Sequence, residues 1–285
     1  MAGYSCMSKT LFTNGCSWTY GGGLDSPDTK EHIEHLHDNI VWPAHVKRAM
    51  EFDSQTNLSA GCGSNQRICR TTFDWVMKQD KETLRNTTAI IQWSNNDRFE
   101  YYVPKDGDSD IFRIEISEAK FDDVIGNRNT EDHFSSVDAR TIDRWAKVNP
   151  NGVVSLFEEG PGTKKDAEFS AQHRYRTYTE QEGLYTWLTQ LGFLHDLFNR
   201  YEIEHYFWFF ATNVSIYPQH IQDYIYDSFP FLESGRQHLW VYERIHEIVA
   251  SSNDCHPSEY GHSQIANQIV NGIAKKKSIL RSPCH

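Results

Sequence analysis

Hydrophobic and polar positions along the chain follow two rhythms, and the alternation between them predicts the elements. Lys9 to Asn14 reads as a short strand closed by Gly15, with a polar loop from Trp18 to Leu24 that holds three consecutive glycines. Val41 to Met50 reads as a helix whose Pro43 stands near the start, where a missing N–H is harmless. A second strand is expected around Ser54 to Ser59, then a helix from Ser64 to Lys78. Thr87 to Trp93 is a third strand, because the run Ala89-Ile90-Ile91 suits a strand covered on both faces. Glu180 to Tyr201 carries Leu184, Trp187, Leu188, Leu191, Leu194 and Phe198 at helical spacing. The aromatic run Ile203 to Ala211 is the strongest strand in the chain, and Arg236 to Ala250 and Ser258 to Ala274 read as the last two helices.

Strands that alternate with helices predict an α/β fold with a mostly parallel sheet, whose ligands sit at the carboxyl ends of the strands. Between Phe99 and Arg176 the periodicity fades into charged, Gly-, Asp- and Asn-rich sequence, with a hairpin expected over Tyr101 to Ile116 that turns at Lys105-Asp106-Gly107-Asp108. The expected organisation is one domain, residues 1–285, carrying an insertion over 99–176.

Charge and cysteine content narrow the function classes. The formal net charge is -11, and no basic stripe is present to neutralise nucleic-acid phosphates. Met1 to Thr10 does not read as a secretory signal and no stretch approaches a membrane span, which gives a cytoplasmic expectation with no membrane partner. The six cysteines, Cys6, Cys16, Cys62, Cys69, Cys255 and Cys284, lack paired spacing, which argues against a disulfide scaffold. Gly21-Gly22-Gly23 has neither the dinucleotide-binding order nor the P-loop lysine.

Four short segments carry the chemistry. Thr13 to Gly21 places Ser17 in a tight turn past the first strand, and Asn57 to Asn65 is a Gly-bearing turn before a helix. Gln92 to Arg98 follows the third strand, and Asn253 to His262 precedes the last helix. Acyl transfer needs a nucleophile, a base, a group that orients the base, and donors aimed at the developing oxyanion. The four segments supply each type.

In this order they resemble the SGNH (GDSL-like) hydrolase superfamily, whose blocks carry Gly-Asp-Ser, a Gly-bearing turn, Gly-x-Asn-Asp and Asp-x-x-His. The resemblance covers the α/β core and not the segment Phe99 to Arg176. It implies a three-layer α/β/α, flavodoxin-like fold and an ester hydrolase that needs no cofactor or metal. It further implies that Ser17 is the nucleophile, His256 the base and Asp254 the orienting acid, with Asn253 as the acid under strict family spacing. The implied oxyanion donors are the N–H of Ser17, the N–H of Cys62 or Gly63, and the Asn95 amide, with Asn96 as the alternative if the register slips. Cys replaces the family's Asp at position 16, Trp its Gly at position 93, and the Asp254-x-His256 spacing is one residue short.

Two rival classes remain open at this stage. Cys16, Cys62 and Cys255 with His256 would make a tetrahedral metal site, although no C-x-x-C pair supports it. A catalytically inactive SGNH-fold protein that binds glycans or serves structurally is the other. For the active reading, the expected substrate is an acyl or acetyl ester of a small alcohol or carbohydrate, with Phe99, Tyr101, Tyr102, Trp145, Tyr175 and Tyr178 as candidates to stack on a sugar. The acidic, aromatic-rich composition is also similar to that of hydrolases encoded by large bacteriophages, for which a virion-associated setting is the alternative expectation.

Overall fold

A computed structural model describes residues 8–22, 24, 34–61, 63–96, 98–102, 145–148, 154–155, 179–209, 217–232, 249–251 and 254–281. Its centre is a parallel sheet of four strands, β1 (Thr10–Asn14), β2 (Ser54–Asn57), β3 (Thr87–Trp93) and β7 (Glu204–Phe209), in the order β2-β1-β3-β7. The chain leaves β1 in one direction to make β2 and then crosses back to make β3, so the crossovers diverge between β1 and β3. In open parallel sheets that divergence opens a crevice at the carboxyl ends of the strands. Asn14 is paired with Ile91, so the turns that follow these two strands leave the sheet at the same edge.

The helices are α1 (Ser17–Tyr20), α2 (Trp42–Ala49), α3 (Asn65–Lys78), α4 (Lys81–Arg85), α5 (Glu180–Arg200), α6 (Gln219–Ser228) and α7 (Glu259–Arg281), with a π-helical turn at Leu36–Ile40 before α2. Alternation along the strands builds two hydrophobic clusters. Phe12, Ala89, Ile91, Phe207 and Phe209 pack with Ile68 and Val76 of α3 and with Trp187, Leu191 and Leu194 of α5. Their sequence neighbours Leu11, Ile90, Tyr206 and Trp208 pack with Trp42 and Val46 of α2 and with Ile265, Ile269 and Ile273 of α7. Successive strand residues point to opposite faces, and every residue of β3 is buried, which is why its centre, Ala89-Ile90-Ile91, is apolar on both faces instead of alternating.

Helix starts follow local chemistry. Ser64 caps α3 by accepting the Arg67 N–H at 3.1 Å, Asp80 caps α4 through the Thr83 N–H at 2.8 Å, and Thr179 caps α5 through the Glu182 N–H at 3.1 Å. The Asp80 carboxyl is held below the usual carboxylate range by its bonds to the Thr83 N–H and hydroxyl.

Several expectations need adjustment. The polar loop expected from Trp18 begins as the helical turn α1, because the chain after Cys16 closes on the Cys16 and Ser17 carbonyls, and the strand expected to reach Ser59 ends at Asn57. Val249 and Ala250, read as the end of a helix, lie in β8 (Val249–Ser251), which pairs antiparallel with β9 (Asp254–Pro257). Strand pairing with the segment that carries His256 overrides a helical spacing too short to nucleate alone. The hairpin expected over Tyr101 to Ile116 falls mostly outside the described residues. Its first strand, β4 (Phe99–Tyr102), pairs with β5 (Trp145–Val148), which pairs in turn with β6 (Val154–Ser155) in a separate antiparallel sheet.

A histidine pair ties α5 to β7 at the amino end of the sheet. The Nδ1–H of His205 donates to the Ile203 carbonyl at 2.9 Å, leaving Nε2 to accept from His195 Nδ1 at 2.8 Å, and Asn199 Nδ2 donates to His195 Nε2 at 3.0 Å. This chain of donors works only when both rings are neutral. Burial pushes His205 down to about 4, and His195 is lowered for the same reason. Because the folded value lies below the unfolded one, the stability His205 contributes is complete above about pH 6.5 and is lost as pH falls from there toward 4. Equilibrium urea unfolding is expected to show about 2 kcal/mol less stability at pH 5 than at pH 7 from this residue. A His205→Gln variant should lose that part of the slope. An unchanged slope would remove the assignment.

Candidate active site

Gly15 closes β1, and the chain turns into a single helical turn. Cys16 is extended, and the N–H groups of Gly21 and Gly22 both donate to the Ser17 carbonyl, at 2.9 and 2.8 Å. Gly21 ends the turn at φ 99°, a left-handed conformation that residues with a Cβ resist. Ser17 therefore stands on a tight strand-to-helix turn, at the sheet edge where the topology opens its crevice. Its backbone N–H donates to no acceptor among the described residues.

The last block reaches this turn from the other end of the sequence. Ser17 Oγ and His256 Nε2 are 2.9 Å apart across 239 positions, so with the imidazole proton on Nδ1 the hydroxyl donates to Nε2. That is the geometry of a nucleophile with its base. Gly22 lies over the pair: a Cβ there would fall 3.0 Å from His256 Cδ2 and Nε2 and 3.1 Å from Ser17 Cβ. A Gly22→Ala variant is therefore expected to lower turnover by about tenfold or more, since displacement of a base by a fraction of an ångström is costly in a preorganised site, with little change in unfolding midpoint. Steady-state kinetics beside a melting curve check this.

The second segment runs against the first. Ala60 N–H donates to the Gly15 carbonyl at 3.3 Å, and a Cβ on Gly63 would lie 3.0 Å from that same oxygen. Of the two alternative donors here, the Gly63 N–H is engaged by the Ala60 carbonyl at 3.1 Å, and Cys62 lies outside the described residues. The third segment is bracketed by Asn65. Its Oδ1 accepts the Ser94 N–H at 2.7 Å, and its Nδ2 donates to the Ser94 carbonyl at 3.1 Å and to Asn96 Oδ1 at 3.0 Å. Asn96 in turn donates to the Tyr217 hydroxyl at 2.9 Å. Asn96 is thus committed to holding the segment, whereas the half-buried Asn95 side chain makes no hydrogen bond among the described residues.

Behind Ser17 lies a buried polar chain. The Trp42 indole N–H donates to Thr19 Oγ1 at 3.2 Å, Thr19 Oγ1 donates in turn to Gln92 Oε1, and Gln92 Nε2 donates to Cys16 Sγ at 3.1 Å. Cys16, where the resembled family has Asp, is a buried acceptor facing Gln92. His262, six positions beyond His256, is wholly buried, and its Nδ1 accepts the Trp42 backbone N–H at 3.2 Å. Burial first, then the nearby His45 and His256, push it down to about 3, which keeps it neutral beside the base. Gly22 and Gln92 were not singled out by the sequence, and His262 was read only as part of the last segment, with no role of its own. Gln92 alone had a local signal, as a polar residue directly after the apolar run Ala89-Ile90-Ile91.

Asp254 lies two positions before His256 on β9, and Asn253 is outside the described residues. Of the proposed sugar-stacking residues, Phe99, Tyr101 and Tyr102 fall on β4 and Trp145 on β5, while Tyr175 and Tyr178 lie outside the described residues. Among the described residues, no group of three or more His, Cys, Asp or Glu side chains gathers to hold a metal ion, and no helix is long and apolar enough to cross a membrane.

Residues 24–126 match a family model described as a family of unknown function (DUF6071). The matched span contains the second and third segments and neither Ser17 nor His256. No curated protein matches the chain.

Proposed function

We propose that this chain is an SGNH-type serine hydrolase, a three-layer α/β/α, flavodoxin-like enzyme that cleaves an acyl or acetyl ester of a small alcohol or carbohydrate through an acyl-enzyme on Ser17. The observation that carries the reading is the 2.9 Å contact between Ser17 Oγ and His256 Nε2, two residues from opposite ends of the sequence that meet at a parallel sheet's switch point. A strand order of β2-β1-β3-β7 with helices packed from two clusters supports the fold.

In this mechanism His256 takes the Ser17 proton as Oγ attacks the ester carbonyl, and then returns it to the leaving alkoxide as the tetrahedral intermediate collapses. The acid at position 254 holds the imidazole tautomer. The oxyanion is held by the unengaged Ser17 N–H, by the Asn95 amide, and by the second-segment turn, where Cys62 is the better candidate because the Gly63 N–H is already spent on Ala60. Water activated by His256 then releases the acyl group. Neutral His262 and the Gln92–Thr19–Trp42 chain set the backs of both turns. Hydrolysis of chromogenic acetyl and butyryl esters and release of acetate from O-acetylated sugars test the reading. Turnover of at least one class is expected, and none from folded protein would contradict it.

A further inference from the structure

Arg98 ends the third segment, at the same sheet edge as Ser17. Its backbone N–H donates to the Asn95 carbonyl at 3.3 Å, so it is placed by the turn that presents Asn95, and its Nη1 donates to Ser94 Oγ at 3.0 Å. The side chain is half-buried, and Nε is sealed from water without an acceptor. Nη2 likewise has no partner among the described residues, and no acidic side chain among them pairs with the guanidinium.

Other arginines are provided for. Arg85 is paired with Glu202 at 2.6 Å in the open, and the buried Arg67 donates to the Leu58 carbonyl at 2.8 Å. A guanidinium is always charged and presents its donors in a rigid fork, and a buried N–H left unmade is costly. The donors left unmet on Arg98 are Nε and Nη2, which share one edge of the fork in the arrangement that matches the two oxygens of a carboxylate; Nε is sealed from water and Nη2 is not, so Nη2 is the donor a ligand reaches first. The protein carries a net charge of -11, which repels an anion in general, so an anionic substrate needs a local cation of this kind to be drawn to one place.

We infer that Arg98 is the specificity residue of the site and that the ester cleaved there bears a carboxylate, received by Arg98 Nη2 at the turn that presents Asn95. This rests on the esterase reading of Ser17, and the test keeps the two separable. Kinetics on two matched pairs, mono-4-nitrophenyl succinate against 4-nitrophenyl butyrate and 4-acetoxybenzoate against phenyl acetate, cover a charge on either side of the ester. In at least one pair the anionic ester is expected to be preferred in kcat/KM by about 10- to 100-fold, mainly through KM, and that ratio is expected to collapse toward one in Arg98→Gln and to be partly kept in Arg98→Lys. Calorimetric binding of the same anionic esters to Ser17→Ala, against Ser17→Ala/Arg98→Gln, reads recognition without turnover. Binding that needs Arg98 supports the inference even if hydrolysis fails, in which case the esterase reading alone falls. Equal treatment of charged and neutral partners, or a preference that survives Arg98→Gln, overturns it.

Discussion

Replacing Ser17 by alanine is expected to lower kcat for ester hydrolysis on the order of 10⁴- to 10⁶-fold, the loss seen when the nucleophile of a triad is removed. The Ser17 side-chain oxygen has one described partner, His256 Nε2 at 2.9 Å, so the variant deletes chemistry and little packing, and its unfolding midpoint should stay near that of the parent. His256→Ala is expected to cost a similar factor, because a hydroxyl without its base is a weak nucleophile at neutral pH. The double variant should be no worse than either single one, since residues that act as a unit are not additive. Independent, multiplying losses would mean that the contact is structural and that the chemistry lies elsewhere.

The second large effect separates two adjacent asparagines. Asn95→Ala is expected to reduce kcat by about 100- to 1,000-fold, the usual consequence of losing one oxyanion donor, with a much smaller change in KM. Asn96→Ala should act on stability instead, costing about 1–3 kcal/mol, because its amide bridges Asn65 and the Tyr217 hydroxyl. The prediction follows from which amide is already engaged. Catalytic loss confined to Asn96→Ala would reverse the assignment, and with it the register of the third segment.

Legibility differed along the chain for physical reasons. β3 was readable to the residue, because a strand buried on both faces leaves an apolar centre, Ala89-Ile90-Ile91, with no alternation. The strand expected to reach Ser59 stops at Asn57, whose Oδ1 accepts the Ser59 N–H at 3.1 Å and bends the chain into an Asx turn. α4 went unread because five residues are too few to show a period, though Asp80 was its cap signal. α6 is ten residues long and only Ile225 in it is fully buried, so its apolar stripe is short, and Pro218 just before it was a local sign. Within the site, Ser17 and His256 were found through the order of four segments, since no local spacing speaks of partners 239 positions apart. The roles of Gly22 and His262 were not readable for the opposite reason: what they do depends on which side chain stands against them, as when a missing Cβ makes room for an imidazole.

Intact-mass analysis after incubation with a fluorophosphonate tests the central claim most directly, because this reagent bonds to a serine whose proton a base can take. One adduct is expected on the native protein, mapped to the peptide that contains Ser17, and none on Ser17→Ala or His256→Ala. Folded native protein that takes up no label, or label that persists in Ser17→Ala, would contradict it.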